Sequence, residues 1–173
     1  ELARAMLAAF HFRPIEPAAA TSFFRRNHYK AAAKSGDAVY GLVEHEELVA
    51  AVRLAPRVCK ELGELRFLRS LCVDRVRRRR GLATRLLRDA TSTDEALPFF
   101  CFACAELDRL YRKAGFIEAD EHALPGWLGD RFASVAAQQQ RKARCLRLMT
   151  LRFPLSIVLL QHANEPQRPT GTG

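Results

Sequence analysis

No stretch of this 173-residue sequence approaches the ~20 consecutive apolar residues of a membrane-spanning helix, so none is expected. The short apolar run between Glu1 and Phe10 lacks the cleavage pattern of a signal peptide. The sequence opens on Glu1 without a methionine, which leaves room for an earlier natural start. Cysteines are few and odd in number: Cys59, Cys72, Cys101, Cys104 and Cys145, most of them inside apolar runs. They read as buried free thiols of a reducing compartment and not as a disulfide framework, and a cytoplasmic location follows. The five histidines show no ligand spacing. Cys101-x-x-Cys104 has the spacing of a redox or zinc pair, but in a strand the two side chains point to opposite faces. No second cysteine pair accompanies it, so no metal is expected. No internal repeat and no Ser/His/Asp arrangement is present.

What is there is an ordinary globular composition, 49% hydrophobic and 27% charged, long enough for one domain that buries roughly 70% of its unfolded surface. The net charge of +9 and a pI near 9.9 favour acidic partners: cofactor phosphates, acidic substrates or nucleic acid. Much of the excess is arginine, which suits bidentate phosphate contacts. A basic surface that merely solvates the protein is the alternative.

One stretch organises the chain. Leu68-Arg69-Ser70-Leu71-Cys72-Val73 is an apolar, strand-like run. Arg75 to Arg80 is rich in arginine, Gly81 is a turn residue, and Leu82, Leu86, Ala83, Leu87 and Ala90 then recur at helical spacing. Strand, basic glycine turn and helix together form an anion site, because the N–H groups of a first helical turn are free to donate and the helix dipole favours negative charge there.

Around it, Phe10 to Ile15 alternates like a first strand, and Pro17 to about Ala33 is expected to be helical. Ala38 to Glu44 and Leu48 to Ala55 read as a hairpin turning at His45-Glu46-Glu47, and Pro56 to Gly63 as a connection. Leu65 to Asp74 is expected to be a central strand, with Leu68, Ser70 and Cys72 on one face and Phe67, Arg69, Leu71 and Val73 on the other. Pro98 to Cys104 is a strongly apolar strand. A helix carrying Leu107, Leu110 and Tyr111 follows and ends at Gly115 with Phe116 behind it, a glycine C-cap with a hydrophobic contact. A short strand at Phe116 to Ala119, a helix from Pro125 to about Gln140 and a strand at Cys145 to Phe153 complete the order β-α-β-β-β-α-β-α-β-α-β. This is an α/β mixture around one sheet.

Arg78-Arg79-Arg80-Gly81-Leu82-Ala83 matches the pattern Arg/Gln-x-x-Gly-x-Gly/Ala, and Leu110-Tyr111-Arg112-Lys113-Ala114-Gly115-Phe116 matches Leu-Tyr-x-x-x-Gly-Phe. With Arg13-Pro14 near the first strand, residues 10–153 resemble the GCN5-related N-acetyltransferase (GNAT) superfamily. The resemblance implies a mixed, mostly antiparallel twisted sheet flanked by helices, with residues 1–153 as the acetyltransferase domain. It implies acetyl-CoA as co-substrate, held where two adjacent strands splay apart. The main chain at Leu71, Cys72 and Val73 would bond the pantetheine arm. Arg78, Arg79, Arg80, Gly81, Leu82, Ala83 and Thr84 would hold the pyrophosphate. A primary amine would attack the thioester directly, and Tyr111 would protonate the departing thiolate.

Positions 65 to 73 hold no carboxylate, so no general base is assigned; a water chain and an amine that binds already neutral remain open. The acceptor, a small molecule or a protein amine, would be selected by Arg25 to Lys34, Pro56 to Gly63 and Glu121 to Trp127. No membrane partner is expected, while RNA and a second copy of the chain stand as candidate partners. Beyond the domain, residues 154–173 restart an apolar strand. Glu165, Pro166, Arg168, Thr172 and Gly173 resemble the opening of the DTW-domain family, which transfers an aminocarboxypropyl group from S-adenosylmethionine to uridine in tRNA, although Gly171 replaces that pattern's asparagine. That resemblance implies a truncated fusion and, as the alternative function, an RNA-binding accessory module of a tRNA-modifying protein; an ordinary polar tail is the other reading.

Overall fold

The structure, a computed structural model, describes residues 9–119, 126–140 and 146–151. The expectations for the start, for Cys145 and for the tail at 154–173 lie outside the described residues. Four helices and seven strands follow the expected order. They are β1 (His11–Pro14), α1 (Pro17–Arg26), β2 (Ala38–Glu44), β3 (Glu47–Cys59), β4 (Gly63–Val73), α2 (Leu82–Ser92), β5 (Phe99–Cys104), α3 (Asp108–Lys113), β6 (Ile117–Glu118), α4 (Gly126–Gln140) and β7 (Leu146–Leu151). Short 3-10 turns at Arg75–Arg77 and Ala105–Leu107 lead into α2 and α3.

The strands form one sheet in the order β1-β2-β3-β4-β5-β7-β6, antiparallel throughout except at β4–β5. The sheet is therefore mixed and mostly antiparallel. Leu82, Leu86, Leu87 and Ala90 of α2, Tyr111 of α3 and Ala114 just after it pack with Ala50, Val52 and Leu54 on one face. On the other face α1 buries Phe23 and Phe24 against Ala51 and Cys72, and α4 seats Leu128 against Ala55, Phe67 and Phe100. The central helix α2 forms because its apolar residues recur every three to four positions, and its polar residues Arg85, Arg88 and Asp89 fall on the opposite side. At Gly41 the sheet permits no side chain. A Cβ there would stand 2.5 Å from Leu48 and 2.9 Å from the Ala50 carbonyl.

Four local expectations are corrected. Helix α1 stops at Arg26, seven residues early, because Asn27 closes it with its side-chain amide on the Phe23 carbonyl and His28 turns to φ 54°. Residues 27–37 then fold back: Tyr29 packs on Phe24, the Ala33 N–H donates to the Thr21 hydroxyl, and the Lys34 N–H to Asp37. The alanines at 31–33 favour a helix intrinsically, and these tertiary anchors override them.

Secondly, Pro56 to Gly63 is almost all strand. β3 pairs with β4 from Ala50–Val73 out to Cys59–Gly63. Beyond Leu54 β3 has no partner on its β2 side, and an edge accommodates Pro56, which has no N–H to offer a ladder. Thirdly, the faces of β4 do not alternate through its length. Ser70 adopts φ 54°, and one residue of β3 (Val52) lies opposite two of β4 (Ser70 and Leu71). This bulge reverses the parity. Leu68, Leu71 and Val73 share the α2/α3 side, and Cys72 packs under α1. Lastly, Leu107 lies in the 3-10 turn before α3 and is exposed, not on a buried stripe.

Candidate active site

β4 and β5 are hydrogen-bonded only where Arg66 meets Phe99 and Phe67 meets Phe100. Beyond that point they part, while β5 stays paired with β7 to its end at Cys104. The bulge at Ser70 lies three residues after Phe67, the last bonded neighbour, so the bend in β4 accounts for the divergence. A cavity of about 800 Å³ fills the gap. Phe67 to Leu71 form one wall, Phe102 to Cys104 and Tyr111 the other, and residues 28–31 with Val135 and Gln139 close over it.

The rim of the gap at β4 carries unpaired backbone. The Asp74 N–H donates to the Val49 carbonyl of β3, so by two-residue alternation Cys72, opposite Ala51, also faces β3. The amide and carbonyl groups of Leu71 and Val73 consequently face away from β3, into the gap. Arg78 Nε donates to the outward Val73 carbonyl at 3.1 Å.

Past Val73 the chain enters the basic turn. Asp74 caps it by accepting from the Val76 N–H at 3.1 Å. Arg77 is tied back to the β2–β3 hairpin through Glu44 at 2.7 Å and Glu47 at 3.0 Å, and these carboxylates raise its pKa further. Arg77 is thus a structural brace, which explains why Glu44 and Glu47 are not free to act as bases. Arg78, Arg79 and Arg80 are exposed. Arg79 and Gly81 both take the left-handed conformation (φ 63° and 77°), and α2 starts without a side-chain cap. Its first intrahelical bond is from the Arg85 N–H to the Gly81 carbonyl, so the amides of Leu82, Ala83 and Thr84 precede the ladder and are available to an anion. Leu82 can contribute only this amide, since its side chain is in the core.

Tyr111 comes from α3, and the motif's glycine sets its place. Gly115 is left-handed at φ 94°, its N–H donates to the Arg112 carbonyl, and the Phe116 N–H donates to that of Tyr111 at 3.1 Å. This paired closure turns Phe116 back edge-on to the Tyr111 ring, 5.7 Å away. Tyr111 is 6% exposed and reaches both the cavity and the Cys101 thiol. Burial, then the nearby Cys101, raise its pKa well above the ordinary tyrosine value, and burial does the same to Cys101. The hydroxyl therefore keeps its proton at any physiological pH.

Sequence reasoning assigned Leu71, Cys72, Val73 and Arg78–Thr84 to the cofactor; the structure puts Leu71 with Tyr111 on the cavity, leads from Val73 on to residues 78–84, and turns the Cys72 backbone to β3, out of the gap. That reasoning missed the α4 residues Val135 and Gln139, and it treated residues 28–31 as helix although it included them in an acceptor-selecting segment. Pro56 to Gly63 does not line the cavity, and most of Glu121 to Trp127 is outside the described residues. Among the described residues no Asp or Glu lines the cavity, and Glu64 is bound to Arg66 at 2.6 Å. Cys101 and Cys104 do face apart: Cys101 sits in the α2/α3 core and Cys104 on the cavity.

No family model and no curated relative matches the sequence. Solved structures match the fold. Arabidopsis thaliana Naa50 in complex with the bisubstrate analogue CoA-Ac-MVNAL superposes with a TM-score of 0.58 over 84% of this chain and 99% of that one, at 11% identity. Arabidopsis thaliana NAA60 in complex with acetyl-CoA matches with a TM-score of 0.55 over 64% of this chain and 88% of its own, at 19% identity. Arabidopsis thaliana glucosamine-6-phosphate N-acetyltransferase gives 0.53 over 64% and 93%, at 11% identity. The mixed, mostly antiparallel sheet flanked by helices is thus the fold of solved GNAT acetyltransferase structures.

Proposed function

We propose that this chain is an N-acetyltransferase that moves an acetyl group from acetyl-CoA to a primary amine by direct attack. The observation that carries the reading is that the only gap in the described sheet ladder has unpaired strand backbone on one rim, leads to a basic helix start, and has Tyr111 in its wall. Backbone at Leu71 and Val73 would pair with the amide-bearing pantetheine arm as an added strand would. The amides of Leu82, Ala83 and Thr84, with Arg79 and Arg80, would receive the pyrophosphate. A helix start alone contributes about 0.3–1 kcal/mol to one anion, so the arginines must share the task.

The amine lone pair forms a bond to the thioester carbonyl carbon, the C–S bond breaks, and the Tyr111 hydroxyl gives its proton to the leaving sulfur. The proton lost by the amine goes to water and solvent reprotonates Tyr111. The dry environment that raises the tyrosine pKa also raises the proton affinity of the thiolate beside it, which keeps the transfer feasible. Titration of the full chain with acetyl-CoA by calorimetry, followed by thiol release on adding amines, tests the reading. Binding in the micromolar range supports it, and no binding at millimolar ligand overturns it.

The residues 155–173 that resemble a DTW-domain opening would be dispensable for this activity, and a chain ending at Phe153 should bind acetyl-CoA as the full chain does. If the chain is instead an RNA module, the exposed Arg75, Arg78, Arg79 and Arg80 would serve RNA phosphates. That reading predicts steeply salt-dependent tRNA binding without thiol release. It leaves the β4–β5 gap without a purpose.

A further inference from the structure

Among the described residues the basic side chains that line the cavity are His28, Lys30 and Arg69, and no carboxylate stands with them. Arg69 stands on β4 directly opposite Arg53 on β3. Like charges in that position repel. The chain resolves the conflict for Arg53 alone. Asp37 approaches Arg53 Nε to 3.2 Å, the Ala32 carbonyl accepts from its Nη1, and both members of the ion pair are buried. Asp37 is fully committed there, since it also accepts the Lys34 N–H.

Arg69 has no such partner among the described residues. Its guanidinium lies over the Phe67 ring at 5.1 Å, with Arg57 over the same ring at 5.9 Å. Arg69 is exposed on the cavity, and partial burial, Arg53, Arg131 of α4 and Arg57 press its pKa below the ordinary arginine value, with Asp37 opposing them only from a distance. A stacked guanidinium has its planar face occupied and its N–H edges free, the arrangement that receives a carboxylate or phosphate. The coenzyme's phosphates do not reach it. Four residues of strand, roughly 13 Å, separate Arg69 from Val73, and the basic helix start lies beyond Val73.

We infer that the acceptor is a primary amine that also carries an anionic group, a carboxylate or a phosphate, which Arg69 receives. The inference rests on the acetyltransferase reading above and gives it a substrate class. It also addresses the missing base. The cations Lys30 and Arg69, with no carboxylate beside them among the described residues, disfavour a bound ammonium and lower its pKa, so the amine would shed its proton to solvent before attack. Such a cavity repels a simple protonated amine, and the anionic group supplies the net attraction.

The test uses the full chain with acetyl-CoA and matched acceptors, followed by thiol release: phosphoethanolamine against ethanolamine, and the dipeptide Ala-Glu against Ala-Gln and Ala-Lys. The expected result is kcat/KM higher by roughly tenfold or more for the anionic member of at least one set, as one charge-assisted contact supplies. Which set responds separates phosphate from carboxylate. The preference should shrink as salt rises from 20 to roughly 300 mM, and Arg69→Glu should invert it in favour of Ala-Lys. Equal or better turnover of the neutral members in both sets, release with none of these amines, or a preference that survives Arg69→Glu overturns the inference. Acetyl-CoA binding measured alongside keeps the two failures apart. If acetyl-CoA binds, only the acceptor class is wrong, whereas absent binding removes the acetyltransferase reading as well.

Discussion

The two ends of the cleft are built differently. The end at Val73 comes from one contiguous stretch, Leu71 to Thr84, in which strand, turn and helix start follow one another within fourteen residues. The end at Arg69 is assembled from residues 28–31, from Phe67 to Leu71, from Phe102 to Cys104 with Leu107, and from Val135 and Gln139. Both are basic, but the arginines are managed in opposite ways. At the first end Arg77 is locked by Glu44, Glu47 and Asp74, while Arg79 and Arg80 project outward. At the second, a single buried aspartate neutralises Arg53 and leaves Arg69 unbalanced. A contiguous site can be recognised from its spacing, whereas a dispersed one exists only once the fold has assembled it.

The largest expected effect is on the dispersed end. Asp37→Asn leaves Arg53 buried and unpaired, which should cost about 3 kcal/mol or more in urea unfolding. The double variant Asp37→Asn/Arg53→Met should recover most of that loss, because it removes the charge as well as its partner. A single variant as stable as the parent would show that the fold-back at 27–37 does not depend on the ion pair.

Next comes the wall that serves both ends. Tyr111→Phe should lower kcat by roughly 10²-fold, the lower range for loss of a positioned acid, with acetyl-CoA affinity nearly intact by calorimetry. Unchanged turnover would remove Tyr111 from the chemistry. At the contiguous end, Gly81→Val forces a branched side chain into φ 77° and should weaken acetyl-CoA binding by roughly tenfold. If affinity holds, the helix start does not contact the pyrophosphate.

The smallest effect is a pH dependence of stability. Burial raises the pKa of the Cys101 thiol in the folded state above its unfolded value. The folded state therefore holds a proton that the unfolded chain releases, so stability is full below the unfolded thiol pKa and falls as pH rises above it. Urea midpoints should drop between pH 7.5 and 9.5 by the equivalent of about 1 kcal/mol for this thiol, and Cys101→Ala should flatten that slope. A slope unaffected by the substitution would show that Cys101 is not protected.

Element order and type were legible because the periods of two and 3.6 residues are strong between Phe10 and Phe116. The helix start at Leu82 and the closure at Gly115–Phe116 were legible for the same reason, since local spacing and a glycine decide them. The end of α1 was not, because the cap of Asn27 on Phe23 and the anchors of Tyr29 to Phe24, Ala33 to Thr21 and Lys34 to Asp37 follow no local pattern. Pro56 misled the reading of β3, since a proline marks a strand's end unless the strand has an open edge. The sequence sets Arg69 beside Phe67 on one face of a central strand, but only the register of β3 shows Arg53 opposite it.

The bulge at Ser70 has a consequence for how β4 tolerates change. The strand is read in two frames: residues up to Arg69 follow one in-out phase, and those from Leu71 the other. Every substitution on either side stays within its own frame, so the halves can vary independently. Deleting the single residue Ser70 would remove the bulge and let β4 alternate without interruption, with Leu71 and Val73 still on the α2 side and Cys72 still under α1. What would be lost is the bend that parts β4 from β5, without altering one side chain of the basic turn or of the helix beyond it.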